Sequence, residues 1–320
     1  MKAFFQNELV RLCLFVVTCL VIAAVFSPYV YTWGKNLAEE AARGELTGTM
    51  EWLGKKCETS DFARFYNRTL MGTALILLYP FIRLMRSDRQ EIRTPFSRRI
   101  NPQKQGWKDI AFGFMLAVGY MCIFSLIALS LGWVVLNGEA KVGSIILKAL
   151  PVIIIVSILE EWLFRGVLFN LSLRTLSVNK VIIGLSLFFA AVHFLKPPEG
   201  SDVSNGHDAL AGFELLGLIG KKYLAPASFF GTFITLFAVG VVLAFARHRS
   251  GALWLSIGLH GGWIFCVKFF EGLFYNNSKA HPVLFGEKVT DGIIPLCFVI
   301  LTGISVYYYL RPKPIQPLND

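Results

Sequence analysis

Apolar residues fall along the chain in blocks of about 20, the length of helix that crosses a ~30 Å hydrocarbon core, and polar residues gather in the gaps between them. The pattern predicts eight membrane-spanning helices, at about 12–33, 69–85, 110–136, 145–171, 181–194, 227–245, 253–270 and 293–310. The fold class expected is all-α, a polytopic membrane helical bundle. The mixed-charge gap at 34–68 has room for a short amphipathic helix, 37–53. The segment 196–226 begins polar, with glycine and proline, and then offers an apolar run at 210–219 that predicts an interfacial helix or re-entrant piece. The first block is preceded by Lys2 and Arg11, and its apolar run continues past Ala23 and Ala24 to Tyr31. That length favours an uncleaved anchor over a removed leader. Glycines and prolines are scattered and form no repeat.

Composition agrees with the pattern. Of 320 residues, 55% are hydrophobic and 16% charged, and the mean hydropathy is +0.57, outside the range of soluble domains. The net charge of +10 does not point to nucleic acid, because the bases stand beside apolar blocks and lack interleaved aromatics. Arg83, Arg86, Arg89, Arg93, Arg98, Arg99, Lys104 and Lys108 crowd into one short gap, which the positive-inside rule places in the cytoplasm. Eight crossings then put the basic gaps at 174–180 and 247–249 and the tail with Arg311 and Lys313 on that same side, against anionic lipid. The gaps at 34–68, 137–144, 196–226 and 271–291 fall outside. Cys13, Cys19, Cys122, Cys266 and Cys297 lie in apolar blocks and only Cys57 lies in a gap, with no CxxC pair, which excludes a disulfide framework or a cysteine zinc site.

Charge inside a block is what changes the picture. The segment Pro151–Phe169, PVIIIVSILEEWLFRGVLF, carries Glu160, Glu161 and Arg165, each costing about 2.5–3.5 kcal/mol at a bilayer centre on insertion scales. Glu161 and Arg165 stand at i and i+4, acid before base, the better order for an ion pair. Glu160 is rotated about 100° off that face. One carboxylate is expected to serve structure and the other chemistry; the plain alternative has both locking the helix to its neighbours. Among the histidines, His207, His248 and His281 fall in gaps or at a block edge, where a solvated role is expected. His193 and His260 lie in apolar blocks. A lone intramembrane histidine often only bridges helices. Here, counted from the cytoplasmic ends at about 1.5 Å per residue, Glu160, His193 and His260 lie ~17, ~18 and ~11 Å deep. One carboxylate and two imidazoles in one layer can activate water in two ways. Either Glu160 is a general base sharing a water with His193, with His260 donating to an oxyanion, or the three ligate Zn²⁺ and leave a fourth position for water. Neither HExxH nor GxSxG occurs in the chain.

These residues also carry a resemblance. EEWLFRG reads as an EExxxR motif, Phe189–His193 as FxxxH and LHGGWI as a final histidine motif, in that order. Over about residues 143–270 the chain resembles the CAAX-processing and bacteriocin-processing membrane proteases (the CPBP or ABI family, related to type II CAAX prenyl endopeptidases). The resemblance implies an intramembrane endopeptidase of a bacterial cytoplasmic membrane. Glu160 and His193 would activate water and His260 would bind the oxyanion, with Glu161, Arg165 and Phe189 supporting the site. The substrate would be a membrane-associated peptide or protein, lipidated or not, and Zn²⁺ remains open because family members are described both with and without it. The chain divides on this reading into an N-terminal transmembrane region at 1–142, a catalytic core at 143–270 and a last loop, span and tail at 271–320. One departure stands out: the family usually has Asn or Asp four residues after the final histidine, where this chain has Ile264. That leaves two competing readings, a non-catalytic membrane scaffold and a proton-coupled transporter using Glu160 and His193. Transporters of that kind often show internal repeats, and none is evident here.

Overall fold

The computed structural model describes residues 8–86, 102–195, 197, 201, 203–223, 226–277, 284 and 292–311. Most of the basic gap after Arg86, His281 and the tail beyond Arg311 lie outside the described residues. In chain order the elements are α1 (Glu8–Ala42), α2 (Gly48–Glu58), α3 (Phe62–Arg86), α4 (Pro102–Ser130), β1 (Val134–Leu136) and α5 (Val142–Glu161). A π-helical segment (Trp162–Leu168) follows, then α6 (Phe169–Ser172), α7 (Val178–His193), α8 (Ala211–Tyr223), α9 (Pro226–Ser250), α10 (Trp254–Leu273), β2 (Phe274–Asn276) and α11 (Ile293–Tyr309). The described residues are thus helical apart from one small ladder. Four segments are long and apolar enough to cross a membrane: Val10–Ala42, Gly106–Ser130, Val142–Ser172 and Gly231–Ser250. The helices α7 and α11 are apolar but shorter, so eight crossings are not established by length and composition. In α10 the polar and small residues His260, Gly258, Gly261, Gly262 and Lys268 dilute the apolar run.

The chain forms two compact units. The first holds α1–α3 and the stretch Val192–Ala225 with α8. The helix expected at 37–53 is cut in two. α1 continues to Ala42, the chain turns through Gly44 and Gly48 at φ +74° and +60°, and α2 begins. Such left-handed values favour glycine. In the same turn Arg43 Nε donates to Glu45 Oε1 at 2.7 Å, which holds the exposed Glu45 carboxyl below its ordinary range. Lys35 of α1 locks α2 in place: its ammonium donates to Cys57 O at 3.3 Å, Glu58 O at 2.9 Å and Ser60 O at 3.0 Å. These are carbonyls at a helix C-terminus, where partners are otherwise lacking and a cation is favoured. The apolar run expected as an interfacial helix or re-entrant piece falls in α8, one face of which packs on protein. Its Ala211, Leu215 and Ile219 share a core with Ala23 and Ala24 of α1 and Phe62 and Tyr66 of α3. A Cβ on Gly212 would collide with the Ala24 backbone, so small residues on both sides let the helices close. His207, expected to be merely solvated, is exposed but bonded to Thr32 Oγ1 at 2.9 Å and set edge-on to Tyr31.

The second unit holds α4 to Ala191 of α7 and α9 onward, with α10 at its centre. Glycines set its spacing. A Cβ on Gly258 would run into the Ile110 carbonyl, and one on Gly262 would meet Phe114 O at 2.9 Å and Ala117 Cβ at 2.7 Å. The side of α10 carrying Gly258 and Gly262 therefore lies directly on α4. Gly261 points the other way, towards Ile153 and Ser157 of α5, and Gly272 meets Ile145. Rising residue numbers pair with rising numbers on α4 and with falling numbers on α5. α10 thus runs parallel to α4 and antiparallel to α5, the sense the charge pattern predicts for these three. The third block ends earlier than expected: α4 stops at Ser130, Gly132 turns at φ +67°, and residues 134–136 form a strand. That strand pairs antiparallel with β2 in the register Val134↔Asn276, Val135↔Tyr275, Leu136↔Phe274, tying together the C-terminal ends of α4 and α10.

This seam can be tested. Gly258→Ala is expected to lower the melting temperature of the detergent-solubilised protein by an overpacking cost of about 1–3 kcal/mol. Gly119→Ala on α4, where a Cβ meets nothing within 4 Å, should melt like the parent. Equal melting of both variants would show that α4 and α10 do not approach this closely.

Candidate active site

The site is built where α5 gives way to the π-helical segment. Trp162 N still bonds back to Ile158 O and Leu159 O, but Phe169 N reaches Phe164 O, five residues back. An α-helix would have paired Phe169 N with Arg165 O; here that carbonyl accepts Arg247 Nε of α9 at 3.2 Å instead. Such π turns insert a residue into a helical turn and recur at functional sites. The turn is anchored from inside by Arg165. Its Nη1 donates to Glu161 Oε1 at 2.8 Å and its Nη2 to Gly240 O of α9 at 3.3 Å, while its guanidinium lies 4.5 Å from the Phe189 ring centre and 5.6 Å from that of Phe164. Gly240 reaches this position because it has no side chain: a Cβ there would stand 2.9 Å from Ser186 Cα.

The Glu161–Arg165 pair expected from i, i+4 spacing is present and deeply buried, at 0% and 3% side-chain exposure. A third member was not expected. His260 Nδ1 lies 2.9 Å from the same Glu161 Oε1. An ionised carboxylate only accepts, so Nδ1 carries the proton of that bond. The other ring nitrogen, Nε2, faces Glu160 Oε2 at 3.7 Å. His260 is 7% exposed and Glu160 30%, and Phe189 closes one side of the imidazole with its ring edge-on at 6.0 Å. The 3.7 Å separation is too long for a direct hydrogen bond.

The second unit thus brings together Glu160, Glu161, Arg165, Phe189 and His260. Ile264 follows one turn after His260 and is half-buried. His193 closes α7, one turn beyond Phe189, half-buried, and belongs to the first unit. The sequence analysis did not single out Gly240, Arg247, Phe164 or Ser256. Only Ser256 left a trace there, as a small polar residue one turn before His260 in an apolar block.

A zinc centre needs three protein ligands and an open position. Among the described residues no three His, Cys, Asp or Glu side chains are grouped to hold a metal ion.

The fold and this cluster are those of a helical membrane protein with ionisable groups buried inside it. Residues 141–266, which span α5 to most of α10, match the family model described as "Type II CAAX prenyl endopeptidase Rce1-like". This segment therefore carries a domain of the CAAX-processing protease family, as the three motifs indicated. No curated protein and no solved structure matches the chain.

Proposed function

We propose that the protein is an intramembrane endopeptidase of the CAAX-processing and bacteriocin-processing type, seated in a bacterial cytoplasmic membrane. Residues 143–270 form its catalytic core. The substrate is a membrane-associated peptide or protein. The observation that carries this reading is the buried set Glu160, His260, Glu161 and Arg165, in which one imidazole stands between two carboxylates.

Water activated by Glu160 and His193 loses a proton to Glu160 as its oxygen attacks the scissile carbonyl carbon. The carbonyl oxygen becomes an oxyanion and accepts from His260 Nε2–H, while Nδ1–H stays on Glu161. On collapse the C–N bond breaks and the proton on Glu160 passes to the leaving amine. For Nε2 to donate, His260 must carry both protons. Low local dielectric strengthens each of these contacts at the transition state.

The test is cleavage in proteoliposomes of a peptide library with and without lipid attached, against the Glu160→Gln protein. Cleavage by the parent alone supports the reading. Proton flux without cleavage, or neither, overturns it.

Ile264 bears on the same chemistry. An apolar side chain one turn from His260 cannot donate to an oxyanion, and a single such donor is typically worth about 10²–10³ in rate. Ile264→Asn is expected to raise kcat by about ten-fold or more, with a modest loss of stability from burying an amide. A lower kcat in this variant would show that position 264 does not face the oxyanion.

A further inference from the structure

Glu161 uses one oxygen twice. Oε1 accepts from Arg165 Nη1 and from His260 Nδ1, whereas Oε2 is buried and accepts no hydrogen bond from any described group. The residue is 0% exposed, so bulk water does not reach that oxygen. A buried carboxylate oxygen without a donor is costly and needs an explanation.

Ser256 supplies one. It is 0% exposed and sits on α10 one turn before His260, on the same face of the helix. It stands near the Glu161 carboxylate. As placed, its hydroxyl donates to Leu253 O at 2.9 Å, but that carbonyl already accepts from Ile257 N at 2.9 Å. A hydroxyl hydrogen is free to rotate. A shift of the Ser256 side chain that moves this bond from Leu253 O to Glu161 Oε2 leaves no acceptor unsatisfied and satisfies the one that is.

We infer that Ser256 is a positioning residue, donating to Glu161 Oε2 and so fixing the carboxylate plane that holds His260 Nδ1. Arg165 sets one edge of the carboxylate and Ser256 the other. Without Ser256 the carboxylate pivots about its Oε1 contacts, and the imidazole turns with it. The effect falls on the transition state, because substrate has no contact with Ser256. This inference rests on the proposed protease reading.

The experiment compares parent, Ser256→Ala and Ser256→Thr in proteoliposomes, with turnover expressed per folded molecule. Ser256→Ala is expected to lower kcat about ten-fold at unchanged KM, and Ser256→Thr, which keeps the hydroxyl, to restore most of it. A structural role alone would reduce the folded amount in Ser256→Ala and leave its kcat unchanged. Parent-like kcat in Ser256→Ala, or no rescue by a folded Ser256→Thr, overturns the inference. If the parent cleaves nothing, the protease reading fails, and the hydrogen bond is read without activity. The carboxylate infrared band of ¹³C-glutamate-labelled protein, assigned to Glu161 by its loss in Glu161→Gln, must shift in Ser256→Ala. An unshifted band also overturns the inference.

Discussion

Replacing Glu160 by glutamine is expected to cut turnover by at least about 10³-fold, while the protein accumulates and melts like the parent. The amide keeps the shape of the carboxylate but cannot take a proton from water at neutral pH. Stability is expected to hold because Glu160 is the most accessible member of the cluster, at 30% exposure, and stands beyond hydrogen-bond range of His260 Nε2 at 3.7 Å. The checks are abundance in membranes, melting in detergent and cleavage of the best library peptide. Retained cleavage in a well-folded Glu160→Gln protein would falsify the assignment of Glu160 as the base. A collapse in abundance would instead put Glu160 among the structural charges.

The opposite split is expected one residue later. Glu161→Ala removes the carboxylate that neutralises Arg165, itself 3% exposed, and also the partner of His260 Nδ1. Breaking a buried pair from one side costs about 3–5 kcal/mol, a large part of a typical folding stability of about 5–15 kcal/mol. The variant should therefore be scarce, whatever the substrate. The double variant Glu161→Ala with Arg165→Met makes the argument specific. Removing both charges and filling the space with an apolar chain is often neutral or better, so abundance should recover. Turnover should stay low, because His260 has lost the group that holds its ring. Two outcomes count against this account: normal abundance of Glu161→Ala alone, or no recovery in the double variant.

The two glutamates differ so much because they meet different neighbours, and only half of that difference was legible in the sequence. Spacing along one helix is a local property. A spacing of four from Glu161 to Arg165 puts them on one face of any helix, and the pair is found as expected. The one-turn relation between Phe189 and His193 was legible for the same reason. Block lengths also located most helix centres, since an apolar helix that crosses a ~30 Å hydrocarbon core needs about 20 residues. They said less about ends: β1 and the turn at Gly132 were hidden inside the apolar run at 110–136, and the glycines at 44 and 48 were present but not used. The apolar run at 210–219 told that a helix would form there but not what one of its faces would meet. An apolar stripe shows that a face will be buried, not whether lipid or another helix buries it, and small residues at Ala23, Ala24 and Gly212 decided for α1.

The sequence by itself determined the class of protein, the three motifs and the ion pair within one helix. Tertiary structure alone decided that His260 belongs to Glu161 as well as to Glu160. That contact joins residues 99 apart in the chain, and it depends on which face of α10 meets α5. The face is chosen by backbone approach: Gly258 and Gly262 press one side of α10 onto α4, Gly261 turns the other towards α5, and the π turn sets where Arg165 and its carbonyl point. Contacts of this kind arise from excluded volume between helices distant in sequence, for which a chain read one residue at a time carries no periodic signal.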